Sequence, residues 1–231
     1  MTGAPADRAL RIVVADYGAG NLVSIGQALT AVGATVVVSP SPSALTHADA
    51  LVVPGVGAAA PAMERLEAQG LVEPIRRWIA DDRPYLGICL GLQLLFEGSD
   101  EDGAETIGVL PGRTVLLDGA PTLPHIGWNQ VERRASHPIF DAIAPDADFY
   151  FVHSYVGRPD PTVAGDIVLA ETDHGGRFAS AIGAGSLVGV QFHPERSGAD
   201  GVRLMANFVA FAAARARRVP PAPILARQGA A

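Results

Sequence analysis

The chain contains no lysine; all 17 of its basic residues are arginine. That excludes a lysine Schiff base and a lysine phosphate clamp. It holds one cysteine in 231 residues, so no disulfide can form within it, and a reducing compartment is expected. No apolar run approaches the ~20 residues needed to span a bilayer. The opening MTGAPADRAL lacks the basic and apolar regions of a signal peptide, so a cytoplasmic protein is expected. With a formal charge of −7, nucleic acid and anionic membranes are poor partners. Histidines are few and show no metal-ligand spacing. His47 and His174 lie in polar turns and read as solvated; His137 precedes Pro138 in a loop. There is no Walker sequence and no dinucleotide fingerprint after a strand. No metal and no cofactor are therefore expected.

What is present reads as an α/β protein. Apolar residues make up 48%, and the length suits one domain with a sizeable core. RIVVAD (11–16), TVVVS, ALVVPG and RPYLGI are β-branched or apolar runs of strand length. They alternate with helical spacing over 22–33, across much of 60–80, and from Leu90 towards Phe96. This alternation predicts an open, mostly parallel twisted sheet with helices on both faces. The middle changes character. RTVLL, GWNQVER, DFYFVHSY, DIVLAET, RFASAIG and LVGVQFH are closely spaced short strands, expected to add antiparallel strands to the core. A last helix begins near Gly198 and must stop near Val219, because Pro220, Pro221 and Pro223 follow. The expected organisation is a flexible leader over 1–9, one domain over 10–218 and a disordered tail over 219–231.

The cysteine sits in Gly87-Ile88-Cys89-Leu90-Gly91, where a strand gives way to a helix. A nucleophile at such a turn projects clear of the sheet on a strained backbone, and side chains two positions away would collide with it. The helix N-terminus adds positive potential, which favours the reactive thiolate. The plainer reading is a small core hydrophobe. A thiolate needs an acid/base partner, and GVQFHPERSG supplies His193 with Glu195 two residues on. In an extended segment both would face one side, so the carboxylate could orient the imidazole. Alone, His-Pro-Glu is equally a surface turn with an ordinary ion pair. Pro54-Gly55-Val56-Gly57 follows an earlier strand; its glycines allow N–H groups to point at a developing negative charge, with the N–H of Leu90 as second donor. By itself it is a simple glycine turn.

Together, in this order, these three pieces resemble the class I (triad) glutamine amidotransferases. DYGAGNL, PGVGA, PHIGWN and FYFVHSY narrow the resemblance to the glutaminase subunits of imidazole glycerol phosphate synthase, over about Ile12 to Phe208. The resemblance implies Cys89 as nucleophile, His193 as acid/base and Glu195 as its orienting partner. It places Gly55 and Val56, with Leu90, at the oxyanion hole. It implies a glutamine pocket from Gly57, Gln93, His153, Ser154 and Tyr155, and a docking face near Asn21, Trp128 and Tyr150. His125 and Gly127 are left as structural. An aromatic in a strand, such as Trp128, is otherwise most often core. The implied activity is hydrolysis of L-glutamine to glutamate and ammonia. The implied partner is a (β/α)₈-barrel synthase subunit that receives the ammonia, in a heterodimer that makes imidazole glycerol phosphate and an aminoimidazole-carboxamide ribotide for histidine biosynthesis. Arg196 departs from the lysine expected in many relatives, and the ARARR near the end is outside the family pattern.

Overall fold

A computed structural model describes residues 9–216. The tail expected over 219–231, the end of the last helix near Val219, and the leader apart from Ala9 lie outside the described residues. The first half alternates as expected: β1 (Arg11–Ala15), α1 (Leu22–Ala31), β2 (Thr35–Ser39), β3 (Ala50–Gly55), α2 (Ala59–Ala68), α3 (Val72–Ala80) and β4 (Tyr85–Cys89). The one-turn α4 (Leu90–Gln93) follows. Next come β5 (Gly98–Ser99), β6 (Gly112–Leu116), β7 (His125–Gln130), β8 (Glu132–Arg133), β9 (Asp148–His153) and β10 (Tyr155–Pro159). The described residues finish with α5 (Pro161–Ile167), β11 (Val168–Asp173), β12 (Arg177–Ala184), β13 (Leu187–Val190) and α6 (Gly198–Ala216).

The main sheet runs β2-β1-β3-β4-β13-β12-β11-β8. Its first five strands pair in parallel and the remainder antiparallel. Strands β3, β4 and β13 are buried throughout, as parallel strands covered on both faces must be. Alternate residues of β1 feed two cores. Ile12 and Val14 pack with Ile25 and Leu29 of α1 and Phe208 of α6. Val13 and Ala15 pack with Leu66 of α2 and Ile75 of α3. Helix α1 starts where the Asn21 side chain accepts the Ser24 N–H at 3.2 Å, an N-cap. In α6 the buried Leu204, Met205, Phe208, Phe211 and Ala212 follow the three- and four-residue steps of one helix face.

Several expectations need correction. The helix expected across 60–80 is two helices, because Gly70 takes a left-handed φ of +65° and ends the first, while Pro74 fits the first turn of the second. The helix expected from Leu90 towards Phe96 is a single turn ending at Gln93. DFYFVHSY divides at Ser154: β9 pairs with β7 in a two-stranded ribbon, and β10 joins a three-stranded sheet β10-β6-β5. GWNQVER divides too, since β7 stays in that ribbon and β8 joins β11 in the main sheet. DIVLAET is strand only from Val168. Among the described residues no helix is long and apolar enough to cross a membrane.

Candidate active site

Strands β3, β4 and β13 are neighbours that end at one edge of the sheet. The register pairs Gly55 with Cys89 and Val190 with Ile88, so the segment after β13 carries Gln191 and His193 past the cysteine. In open α/β sheets this edge, beyond the carboxyl ends of the strands, is where ligands bind.

Cys89 has φ +53° and ψ −108°, a backbone that non-glycine residues rarely adopt. The flanking glycines are required by contact. A Cβ on Gly91 would lie 1.8 Å from the Val53 carbonyl oxygen, and one on Gly87 would lie 2.5 Å from the Gly91 oxygen. The turn is buttressed from below, where the Tyr85 hydroxyl donates to the Gly91 carbonyl at 3.1 Å. Tyr17 holds the adjacent turn by donating to the Pro54 carbonyl at 2.6 Å. Burial raises both phenol pKa values, so the hydroxyls stay protonated and donate. Gly55 is needed beneath them, because a Cβ there would come within 2.2 Å of the Tyr17 oxygen. Val56 is exposed, and Gly57 takes a φ of +91°.

His193 is held from both ends. Its backbone N–H donates to the Tyr150 carbonyl at 2.9 Å. Its own carbonyl accepts from the Ser197 hydroxyl at 2.6 Å, and that hydroxyl accepts the Tyr150 N–H at 3.0 Å. Nδ1 meets Glu195 Oε1 at 2.9 Å, with both side chains almost fully buried. The contact arises differently from the extended segment expected: Pro194–Arg196 is a 3-10 turn begun by the proline, and it curls the carboxylate back under the ring. Burial by itself would lower the His193 pKa. The Cys89 thiol and the Glu195 carboxylate outweigh it and push the value up to about 10. The ring is thus an imidazolium at neutral pH. Its Nε2 is buried and makes no hydrogen bond of good geometry among the described residues, a looseness common before substrate binds.

Sequence reasoning missed Gln191. This residue is fully buried, and its Nε2 lies 3.6 Å from the Cys89 sulfur. Gln93 links to it, with Nε2 3.2 Å from Gln191 Oε1 and 2.8 Å from the Tyr155 carbonyl. His153 Nδ1 reaches the same carbonyl at 3.1 Å. Behind it stands His125, whose Nδ1 is 3.1 Å from His153 Nε2 and whose other ring nitrogen is 3.2 Å from Asn129 Nδ2. His174, read as solvated, instead stacks on His125 with centroids 3.9 Å apart. Burial is the main cause lowering the His125 pKa to about 4 and the His153 pKa to about 3, so both rings are neutral. His137, expected in a loop, begins a 3-10 turn and accepts the Ile139 N–H. No group of three His, Cys, Asp or Glu residues among the described ones could hold a metal.

A cavity of 270 Å³ is lined by Gly57, Gln93, His153, Ser154 and Tyr155, the residues of the implied glutamine pocket, together with Val56, Cys89, Glu101, Pro124 and Val152. Glu101 falls in a charged surface stretch with nothing local to mark it. Beside the cavity, β7 exposes Ile126 (60%) and Trp128 (58%), so the tryptophan is no core residue. Trp128 meets Tyr150 edge to face at 6.2 Å, and the Arg196 guanidinium lies 4.0 Å from the Tyr150 ring centroid. A planar guanidinium suits that stacking in a way a lysine ammonium does not. Asn21 is exposed and serves α1 as its N-cap.

Residues 13–211 match the family model of class-I glutamine amidotransferases. The imidazole glycerol phosphate synthase subunit HisH of Symbiobacterium thermophilum is 46% identical over 200 residues, covering 86% of this chain and 92% of that one. The HisH subunit of Aquifex aeolicus is 46% identical over 201 residues, covering 86% and 96%. Among solved structures, a glutamine amidotransferase superposes with a TM-score of 0.69 at 18% identity, covering 87% of this chain and 98% of that one. PurLQS from Thermotoga maritima gives a TM-score of 0.69 at 17% identity, covering 88% and 99%. The structural likenesses speak for the fold, and the sequence likenesses go further: the chain belongs to the class I glutamine amidotransferases and, within them, to the group of imidazole glycerol phosphate synthase HisH subunits.

Proposed function

We propose that this chain is the glutaminase subunit of an imidazole glycerol phosphate synthase, hydrolysing L-glutamine to glutamate and ammonia with Cys89, His193 and Glu195. The observation that carries the reading is the meeting of a strained, glycine-flanked cysteine with a buried His193–Glu195 ion pair at one edge of the sheet. The Cys89 thiolate attacks the side-chain amide carbon of glutamine and forms a tetrahedral oxyanion. Backbone N–H groups of the Gly55–Val56 turn and of Leu90 are the candidate donors to it, each worth ~3 kcal/mol in sites of this kind. His193 gives its proton to the leaving nitrogen, so ammonia departs and a thioester remains. The neutral His193 then takes a proton from water, the hydroxide adds to the thioester, and glutamate leaves as the thiolate re-forms. Glu195 keeps the ring oriented and stabilises its charged form.

The cavity suits a ligand the size of one amino acid, being at the small end of ligand pockets. Glu101 supplies a carboxylate at its wall for an α-ammonium group. Gly57, Gln93, His153, Ser154 and Tyr155 are the pocket residues of this reading. Ammonia released into water would be protonated and lose its nucleophilicity. A partner docked over the Trp128–Tyr150–Asn21 side, a (β/α)₈-barrel synthase subunit, would take it up directly. A cytoplasmic setting accords with the lone free thiol. The test is glutamate release from glutamine by the purified chain, with and without the barrel subunit plus its nucleotide ligand. Release that depends on the partner and vanishes in Cys89→Ala supports the proposal. Release indifferent to the partner leaves a glutaminase of another pathway, and no release in either condition returns Cys89 to the core.

A further inference from the structure

The hydrogen bonds around Gln191 have a direction that can be worked out from groups whose roles are fixed. The Tyr155 carbonyl can only accept, so the Gln93 atom 2.8 Å from it is the amide nitrogen. That nitrogen has a second hydrogen, which points at Gln191 3.2 Å away, so the Gln191 atom there is its oxygen. The Gln191 nitrogen is then the atom that faces the Cys89 sulfur at 3.6 Å, and it donates.

The same carbonyl fixes the histidines. His153 Nδ1 must carry a hydrogen to bond it at 3.1 Å, which leaves Nε2 as an acceptor. His125 Nδ1 donates to that Nε2 at 3.1 Å, and His125 Nε2 accepts from Asn129 Nδ2 at 3.2 Å. Asn129 is oriented independently, since its oxygen accepts the Gln130 N–H at 2.8 Å and its nitrogen donates to the Asp173 carbonyl at 2.9 Å. The histidine branch, reasoned from Asn129 or from Tyr155, gives the same directions and two neutral rings, and it ends on the carbonyl that also accepts from Gln93. Gln191 cannot turn over without setting its nitrogen against the donating nitrogen of Gln93. Its backbone is fixed too, because its N–H donates to the Ser180 carbonyl at 2.9 Å.

We propose that Gln191 is a further catalytic residue: its side-chain N–H donates to the Cys89 sulfur and stabilises the thiolate, with Gln93, anchored on the Tyr155 carbonyl, fixing that polarity. The proposal rests on Cys89 being the nucleophile. A hydrogen bond to a charged acceptor in a buried site is among the stronger kinds, and among the described residues the Cys89 sulfur is the acceptor that Gln191 Nε2 meets.

Because the chain has a single cysteine, alkylation by iodoacetamide reports on Cys89 alone. The rate is measured against pH for the full-length wild type, Gln191→Met and Gln191→Glu. Methionine keeps the volume and removes the donor. Its acid limb is expected to move up by about one pH unit, a roughly tenfold loss of reactive thiolate at a fixed pH below the limb. Glutamate places an acceptor against the thiolate and is expected to move the limb further. Superimposable profiles for wild type and Gln191→Met would overturn the proposal. Should neither variant fold, the wild type decides: the Gln191 side-chain amide protons, followed by NMR, must shift as the thiol titrates, and fixed resonances would overturn it. Alkylation needs no glutamine, so a wild type that fails to release glutamate sinks the glutaminase reading while the alkylation profile still judges Gln191.

Discussion

His193 is poised between a carboxylate and a thiol, and their removal has a calculable sign. Both partners raise its pKa against the pull of burial, so deleting the Glu195 charge must lower it. Glu195→Gln is therefore expected to move the alkaline limb of the glutaminase profile from near pH 10 towards lower pH. The rate should fall by on the order of 10²- to 10⁴-fold through loss of orientation and charge. A pH profile of kcat/KM in the presence of the synthase subunit checks both. At this scale the sequence was legible where a constraint is local. Five residues around Cys89 reveal the strained turn, because Gly87 answers to a collision with Gly91 inside it, although Gly91 itself answers to Val53 on β3. Gln191, two residues before His193, gave no signal, since its role depends on β13 lying beside β4. His174 was misread for the same reason, its stacking partner His125 being on a distant strand.

At the scale of elements, the β4–α4 turn works only while the helix can approach β3 closely. Gly91 faces the Val53 carbonyl so tightly that even a methyl group has no room. Gly91→Ala must push the turn off β3, and an overpacking cost of about 3 kcal/mol or more is expected. For a chain of this size that lowers Tm by roughly 10 °C, measurable by calorimetry. The parallel strands were readable because burial on both faces makes them continuous apolar runs. The two-stranded β7–β9 ribbon was not, because period and composition do not say which sheet a short strand joins. Ser154 separates two strands with no proline or glycine to mark the break, whereas Gly70 could have been taken as the stop it is.

For the whole molecule, the buried neutral histidines set the response to acid. The His125 and His153 pKa values lie below the ordinary 6.5, so the unfolded chain binds more protons than the folded one as pH falls below that value. His137, lowered chiefly by burial, adds in the same direction. His193 acts in the opposite sense and elsewhere. Its raised pKa stabilises the fold fully below 6.5, and that contribution is lost as pH climbs towards 10. Denaturant melts between pH 7 and 4 should therefore show stability falling with acid, with His153 alone contributing about 1.4 kcal/mol per pH unit. The exposed Trp128, backed by Tyr150 and Arg196, offers a docking partner a large apolar surface. Trp128→Ala is expected to weaken synthase binding by about 2 kcal/mol, some 30-fold, in a calorimetric titration.

The register of the main sheet also bears on how the chain comes to be reactive. Cys89 and Gln191 stand 102 residues apart in sequence, yet they meet because β13 closes directly onto β4. Everything from β5 to β12 is an excursion between these two neighbours. Contacts of such long separation carry a closure entropy that slows folding. During synthesis the thiol leaves the ribosome well before the residues that charge and orient it. The reactive centre is thus assembled by the last strand of the described residues, and a chain stalled before it carries the nucleophile without the means to use it.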